Sequence, residues 1–385
     1  MPTRKTAARR SCSAAAVDMR QAAAVLCILL AAGCEPAQRD VQLFAADAPP
    51  GLLSEWGVLT ITGDGLDVNA RVTPYELKTP LFSDYALKLR TVWMPEGESA
   101  LYDPTNEFDF PVGTVISKTF HYRKADDWAA DNSRVLIEEQ GGPNNVAPPL
   151  NLDEYALIET RLLVRYADGW IGFPYVWNQE QTDAVLEIAG DVRQIQLSQG
   201  DDTRNLNYVV PDVNQCAGCH TPNHSDGELR PLGPKAWQLN RRYNWWEEDD
   251  SQVNQWSSHG LLLEAPQLTP DETSDLDRAA REYLDANCAH CHNPAGAADT
   301  SALHLNIDAP VDRKLGVCKT PVAVGRGSGD LNYDIYPGRP QDSIMIFRMQ
   351  HSDPAIAMPE LGRSAIHDEG VKLVGKWIAA MTGEC

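Results

Sequence analysis

Apolar and polar side chains alternate along several segments between residues 40 and 210. In Ala156–Tyr166 the apolar side chains fall mostly on one face of a strand, and Glu159 and Arg161 fall on the other. An Asp-Gly pair, a common hairpin turn, separates this segment from "WIGFPYVWN", its expected partner strand. "GTVISKTFHY" predicts a further strand, and "QGGPNNVAPPLN" predicts a loop. This alternation predicts an antiparallel β-sandwich or jelly-roll-like domain over residues 40–210.

The spacing of apolar residues becomes helical beyond residue 270. Ser274–His292 carries an apolar stripe with helical periodicity, and Thr273 or Ser274 can cap its start. His367–Met381 repeats its apolar residues in the same way, and "DSIMIFRMQ" predicts a shorter helix. We therefore expect residues 211–385 to be mainly α-helical, and the fold class of the whole chain to be α+β with several domains.

A Cys-x-x-Cys-His string occurs twice, in "NQCAGCHTP" and in "LDANCAHCHNP". Two thiols at this spacing lie on one helical turn, where both can form thioethers with the vinyl groups of one porphyrin, and the histidine that follows points at the iron. Each string is typical of a c-type haem attachment site, so we expect two c-type haems. The expected thioether cysteines are Cys216, Cys219, Cys288 and Cys291, and the expected axial iron ligands are His220 and His292.

Zinc binding and thiol redox chemistry are the alternatives for these cysteines. Two Cys-x-x-Cys pairs can form one Cys₄ zinc site, but both copies carry a histidine directly after the second cysteine, and the pairs lie farther apart than is usual in zinc ribbons. A thioredoxin-type motif would be single and near a βαβ pattern, which the sequence does not show. Of the residues between the cysteines, His290 is expected to face solvent.

The second string and the helices around it resemble the class I cytochrome c fold, over residues 271–385. In that fold the loop before the last helix supplies a methionine as the sixth iron ligand, and here "AIAMPELG" offers Met358. The resemblance also implies that the carbonyl of Pro234, in "LGP" after the first string, accepts the ring N–H of His220.

The sixth ligand of the first haem is left open by the sequence. No methionine occurs between Met94 and Met345, which excludes a local His/Met haem. His259 follows enough chain to reach around a porphyrin, whereas His224 stands very close to the first string. His259 is therefore the candidate, with His121 or an empty position as alternatives. A six-coordinate iron transfers electrons, and an open one binds a small ligand or peroxide.

The N-terminal segment has the layout of a secretory signal. "AAAVLCILLAAGC" follows several basic residues and is too short to span a membrane. Its end resembles the bacterial lipobox, which implies cleavage before Cys34, a diacylglyceryl group on the Cys34 sulfur and, with Glu35 next, retention at the outer membrane. Residues 1–33 are thus an expected lipoprotein signal peptide. Simple signal cleavage is the alternative, and translation from Met19 would give a shorter signal.

Cys318 and Cys385 remain once the signal, the lipid and the two strings have used the other cysteines. An exported protein meets an oxidising compartment, so we expect these two to form a disulfide, with two free buried thiols as the alternative. Closing a loop of that length stabilises the fold by about 4 kcal/mol in the chain-entropy model.

The formal net charge of −21 opposes nucleic-acid binding, which needs a basic surface. An acidic surface favours solubility and a neutral or basic partner. With 385 residues, of which 43% are hydrophobic and 23% charged, the chain is long enough for two or three soluble domains.

Seven segments together resemble a family of exported bacterial diheme c-type cytochromes of uncharacterised role. They are "LFSDYALKLR", "YVWNQEQTDA", "NQCAGCHTP", "LGPKAWQLNR", "YLDANCAHCHNP", "PGRPQDSIMIFRM" and "MPELGR". The resemblance implies haem attachment at both strings and a redox role. The expected domains are the signal peptide (1–33), a β-rich domain (40–210), a first haem c module (211–270) and a second, class I-like cytochrome c domain (271–385).

Three functions fit these expectations. The first is an electron-transfer lipoprotein at the periplasmic side or surface of the outer membrane, which relays electrons between redox partner proteins. The second is a diheme peroxidase-like oxidoreductase with an open site at the first haem, although no motif marks a distal acid–base pair. The third is a binding protein with accessory haems, whose β-rich domain uses Trp170, Tyr175 and Trp177 on a glycan; these rings are otherwise expected to pack in the core or against haem.

Overall fold

A computed structural model describes residues 40–128, 133–138, 147–322 and 325–385. The expected signal peptide (1–33) and Cys34 lie outside these residues. In chain order the described strands are β1 (Leu59–Thr62), β2 (Gly65–Val68), β3 (Thr73–Tyr75), β4 (Leu87–Trp93), β5 (Ala100–Leu101), β6 (Val115–Lys124), β7 (Arg134–Leu136), β8 (Leu150–Asn151), β9 (Tyr155–Tyr166), β10 (Gly169–Trp177), β11 (Ala184–Leu186), β12 (Asp191–Gln199), β13 (Asp202–Val210) and β14 (Leu262–Leu263).

The predicted hairpin lies at the centre of a nine-stranded sheet. β9 and β10 pair antiparallel across the Asp-Gly turn, with Tyr166 opposite Gly169, as the sequence predicts. The main path of the sheet is β11-β10-β9-β6-β7-β12-β13, and β4 pairs with β6 and β3. β7 pairs parallel with β12, so the sheet is mixed. The expected antiparallel sandwich or jelly roll is therefore wrong, because alternation predicts the strands but does not specify which strands pair.

The two faces of this sheet support different structures. One face packs against a small sheet of β1, β2 and β8, and the side chains between the two sheets form a buried apolar core. The opposite face carries the charged side chains of β4, β6 and β9 and borders a cavity. Core residues on the first face include Trp56, Leu66, Leu89, Leu150, Leu162, Tyr175 and Trp177.

The described helices are few and short. They are α1 (Val213–His220), α2 (Ala236–Leu239), α3 (Gln252–Ser258), α4 (Leu276–Leu284), α5 (Ile344–Met349) and α6 (Asp368–Ala380). The helices predicted from the apolar spacing are confirmed as α4, α5 and α6.

The expected α+β fold with a mainly α-helical tandem cytochrome c region is wrong. The described helices between residues 211 and 385 run from 4 to 13 residues, and loops make up most of that region. Pro222, Pro231, Pro234, Pro266 and Pro270 interrupt the chain between the two Cys-x-x-Cys-His strings. Proline lacks the amide donor and clashes with the preceding turn, so a helix cannot continue through these positions.

α4 and α6 pack directly against each other. Gly370 of α6 lies under the ring of Tyr283 of α4, and the Trp377 indole N–H donates to the Asp277 carboxylate over 2.7 Å. The interface is apolar and buried, and its residues include Ala280, Leu284, Leu305, Ile346, Val374 and Ile378. This helix pair holds the segment that carries the second Cys-x-x-Cys-His string.

Several contacts tie this helical part to the large sheet, and residues 40–385 form one compact unit. The side chain of Asn287 accepts from the Phe82 amide over 2.8 Å, and Asp84 accepts from the Ser364 and Ala365 amides. A disulfide joins Cys318 and Cys385, whose Cα atoms are 5.3 Å apart. Among the described residues no helix is long and apolar enough to cross a membrane.

Candidate functional site

The first string occupies the short helix α1. Asp212 caps this helix by accepting from the amides of Asn214 and Gln215 over 2.8 Å each, and Pro211 precedes the cap. The helix therefore starts only three residues before Cys216. Cys216 and Cys219 are three residues apart on one turn and both line the cavity.

The ring of His220 is oriented by a backbone carbonyl. Its Nδ1 lies 2.8 Å from the carbonyl oxygen of Arg230. A carbonyl oxygen can only accept, so Nδ1 carries the proton and Nε2 keeps its lone pair. The predicted acceptor, the carbonyl of Pro234, is wrong: the loop after the string brings Arg230 to the ring.

The second string follows α4 without a break. Asp285–Ala289 continues the helix as a π turn, and the amides of Cys291 and His292 both donate to the carbonyl of Cys288. The two cysteines and the histidine therefore lie on one turn, as in the first string. Cys288, Cys291 and His292 all line the cavity.

A serine orients the ring of His292. Its Nδ1 lies 3.1 Å from the hydroxyl oxygen of Ser301, and that hydroxyl donates to the carbonyl of Ala298 over 2.6 Å. Because the serine proton is used on the carbonyl, the serine oxygen accepts from Nδ1–H of the ring. His292, like His220, is left with a free lone pair on Nε2.

The two strings touch each other. The Cys291 thiol lies 3.6 Å from the carbonyl oxygen of Gly218, between the two cysteines of the first string. The loops that follow the strings also meet, since the His224 amide donates to the Ala295 carbonyl over 2.7 Å. The Asn293 side chain donates to the Pro222 carbonyl as well. Two segments about seventy residues apart thus form one structure.

Both strings open into a single cavity of about 900 Å³. This volume is near the upper end of the usual range for small-molecule and cofactor sites, about 300–1,000 Å³. The large sheet forms one wall through β4, β6, β9 and β10, and α4, α5 and the loop around Met358 form much of the rest.

The two motif histidines are neutral at neutral pH. Burial, with Lys118 nearby, lowers the pKa of His220 to about 3. Burial, with Arg348 nearby, lowers the pKa of His292 to about 4. A neutral imidazole is the form that binds a metal ion.

Burial keeps the four thiols protonated. It raises the pKa of Cys288 to about 12 and that of Cys291 to about 11. Burial also raises the pKa of Cys216 and Cys219, although the positive charges of Arg161 and Lys118 oppose that shift. Thiols of redox-active Cys-x-x-Cys motifs have lowered pKa values instead.

Met358 lines the cavity, as does the loop that follows it. The Arg363 guanidinium donates to the Met358 carbonyl over 2.8 Å and to the His351 carbonyl over 3.0 Å, which fixes the loop. Leu361 reaches the first string, where a Cβ on Gly218 would lie 2.9 Å from its Cδ1. This loop therefore contacts the first string, although it follows α5, which packs in the same apolar core as the second string.

His259 lies away from the cavity. It is exposed at the end of α3, stacks on Trp246 at 4.2 Å and places Nε2 2.9 Å from the Glu248 carboxylate. The structure therefore does not bring it to the first string. Val253 and Trp256 of α3 pack in an apolar cluster with Phe108, and His259 stands at the exposed end of this helix. His121 is buried in β6 against Tyr155, and it does not line the cavity either.

His290 and His367 are the cavity histidines that the sequence prediction missed. His290 was expected to face solvent, but it lines the cavity, and its buried Nδ1 has no hydrogen-bond partner among the described residues. His367 stacks on Phe82 at 4.1 Å and pairs through Nδ1 with the Tyr283 hydroxyl.

In the part of the chain that the structure describes, no three His, Cys, Asp or Glu side chains are grouped to hold a metal ion. The four thiols are thus not gathered into the Cys₄ arrangement of a zinc ribbon. Trp170, Tyr175 and Trp177 are buried, so they form no exposed platform for a glycan.

No family model, curated protein or solved structure matches this chain. The resemblance to the exported diheme c-type cytochrome family is therefore corrected. No family model supports it, the described chain is mostly strand and loop with short helices, and no grouped metal site appears among the described residues. We therefore infer the function from the residues that line the cavity.

These residues fit a covalently bound tetrapyrrole. Each string offers a thiol pair for two vinyl groups and an imidazole with its Nε2 lone pair free. The cavity is large, and the buried Nδ1 of His290 marks a polar atom in its wall that still lacks a partner. The thioether of Met358 is a further iron ligand by type.

Proposed function

We propose that this protein carries two covalently bound c-type haems and relays electrons between redox partners. The observation that carries the proposal is the matched geometry of the two strings. In both, a thiol pair on one turn is followed by a histidine whose Nδ1–H is held by an oxygen acceptor. Both strings line the same cavity.

The chain's residues divide the work of holding the cofactors. Cys216 and Cys219 would bind one porphyrin, Cys288 and Cys291 the other. The carbonyl of Arg230 and the hydroxyl of Ser301 keep the rings of His220 and His292 in one tautomer. Each Nε2 therefore keeps a lone pair that can bind iron. Bound haem supplies reversible one-electron chemistry.

The contact between the strings supports electron transfer from one cofactor to the other. The Cys291 thiol lies 3.6 Å from the Gly218 carbonyl, so groups attached at the two strings would be close neighbours. Together with His292, the Met358 thioether would hold the iron of the haem at the second string. The cavity histidines left for the other iron are His290 and His367, in place of His259.

We also propose a location and a class of partner for this protein. The signal expected in residues 1–33 and the lipid on Cys34 would place the protein at the periplasmic side or surface of the outer membrane. The net charge of −21 favours a redox partner with a basic docking surface, because complementary charge speeds the encounter.

A redox titration of the matured protein, followed by absorption spectroscopy, tests the relay. We expect two one-electron steps, low-spin six-coordinate spectra for both haems and no fast binding of CO to the reduced protein. Fast CO binding by half of the haem, together with peroxide turnover, would instead support the diheme peroxidase-like alternative.

Two matched substitutions test the role of Met358. Met358→Leu should lower the potential of one haem, because a thioether ligand raises it. Met381→Leu serves as the control, since Met381 packs at the end of α6 and does not line the cavity. Equal potentials in the two variants would remove Met358 from the ligand set.

A further inference from the structure

Three cations form a row across the sheet wall of the cavity. Arg90 of β4 lies opposite Lys118 of β6, and Lys118 lies opposite Arg161 of β9. All three line the cavity. Like charges directly opposite each other on neighbouring strands destabilise a sheet, so such a row needs negative charge to offset it.

The protein's own carboxylates offset the row only in part. Arg161 forms an ion pair with Glu159, with Nε 2.7 Å from the carboxylate. Glu76, whose charge acts on Arg90, is itself bound to Arg241 at 3.4 Å. Lys118 forms no ion pair with any described residue, and its ammonium group lies 5.2 Å from the centre of the Phe120 ring.

The excess of positive charge extends over the whole cavity. Among the described lining residues, seven are Lys or Arg and three are Asp or Glu. The three acids are already engaged: Asp334 with Lys319, Glu360 with Arg348, and Asp84 with two backbone amides. This surplus lies inside a chain whose net charge is −21, so it is a local feature and not a general one.

Carboxylates are the ligand chemistry that this row fits. A buried cation is stable when it is paired and hydrogen-bonded, and Arg and Lys are the usual partners of carboxylate groups. The first string lies on the same sheet face, because a Cβ on Gly172 of β10 would stand 3.6 Å from the Cys216 sulfur. Haem brings two propionate carboxylates, and a small external anion is the other source of such charge.

We propose that Arg90, Lys118 and Arg161 bind the propionate carboxylates of the haem attached at Cys216 and Cys219. This inference rests on the proposed function. It gives the large sheet a direct role, since its cavity face neutralises the cofactor and sets its electrostatic environment. Lys118 is the positioning residue to test, because it has no ion pair of its own among the described residues.

The test compares Lys118→Gln, Lys118→Arg and Lys372→Gln in the matured protein. Lys372 is exposed on α6 and does not line the cavity, so its replacement removes the same charge from the surface. Lys118→Gln should lower the midpoint potential of one haem, because a positive charge near the iron favours the reduced state. It should also shift the propionate bending band in resonance Raman spectra. Lys118→Arg should restore both.

Two results would overturn the inference. One is a potential and a Raman band in Lys118→Gln that match those of Lys372→Gln. The other is a potential that shifts with added sulfate in the wild type but not in Lys118→Gln, which would assign the row to an external anion. A mass that shows two attached haems in every variant separates either failure from failure of the proposed function.

Discussion

The two Cys-x-x-Cys-His strings have the same local geometry but different supports. The first lies in α1, an eight-residue helix whose residues are half-buried or exposed and whose start is fixed by the Asp212 cap. The second continues from α4, which is packed against α6 in an apolar core. A sheet face supports the first string, and a helix pair supports the second.

The same arrangement of two cysteines and a histidine is thus held by two different sets of packing elements. In each case Nδ1 of the histidine ring is held by an oxygen from a loop after the string. The acceptor follows its histidine by ten residues in the first string and by nine in the second. Ligand orientation is therefore local, whereas the stability of each string depends on what packs behind it.

Removal of one thiol pair at a time has the largest expected effect. Cys216→Ala with Cys219→Ala, and separately Cys288→Ala with Cys291→Ala, should each remove one haem and leave the other. The second pair should lower the thermal midpoint more, because its cofactor would complete the core of α4 and α6. Intact-mass measurement and thermal melts check both points; loss of both haems from either variant would contradict separate attachment.

The next largest effect is the difference in stability cost between alanine substitutions at Gly370 and at Gly218. A Cβ on Gly370 would clash with the hydroxyl oxygen and Cζ of Tyr283, so Gly370→Ala should lower the free energy of unfolding. Overpacking of this kind costs about 1–3 kcal/mol. At Gly218 the nearest atom is the flexible end of Leu361, at 2.9 Å, and Gly218→Ala should cost much less. Equal costs in denaturant titrations would show that α4 and α6 tolerate separation.

Removal of the helix caps should have a smaller effect, and that effect should differ between α1 and α4. Asp212→Ala removes the acceptor of two amides, and loss of such a cap costs about 0.5–2 kcal/mol. Because the residues of α1 are only half-buried or exposed, the amides of α1 should exchange faster with solvent in this variant. Asp275→Ala removes the cap of α4, which is held by its core, so its amides should change less. Hydrogen exchange of both variants measures the difference.

The smallest effect is expected at His259. It is exposed and bound to Glu248 and Trp246, so His259→Ala should leave the spectra and potentials of both haems unchanged. Conversion of half of the haem to a high-spin form in this variant would return His259 to the ligand set.

Much of the local structure could be predicted from the sequence. The spacing of apolar residues and cysteines predicts the hairpin of β9 and β10, the helices α4 and α6 and the turn geometry of both strings. These features depend on neighbouring residues. The mixed pairing of β7 with β12 could not be predicted, because alternation carries no information about partners.

The rest of the site depends on contacts between distant segments. Arg230 and Ser301 act through a carbonyl and a hydroxyl that no motif marks. His290 lies in the wall of a cavity that both strings line, and a single string does not reveal this position. The charged face of β9 was visible in the alternation, but the sequence did not show that Arg161 and Lys118 would border a cavity and not solvent.

The intact mass of the full chain, expressed with a haem attachment system and denatured in acid, shows whether two haems are attached covalently at the two strings. We expect a coloured protein whose mass exceeds that of its polypeptide by two haems, both retained after denaturation because they are covalently bound. A colourless protein with the mass of the bare chain, or one loaded with zinc at its four thiols, would contradict it.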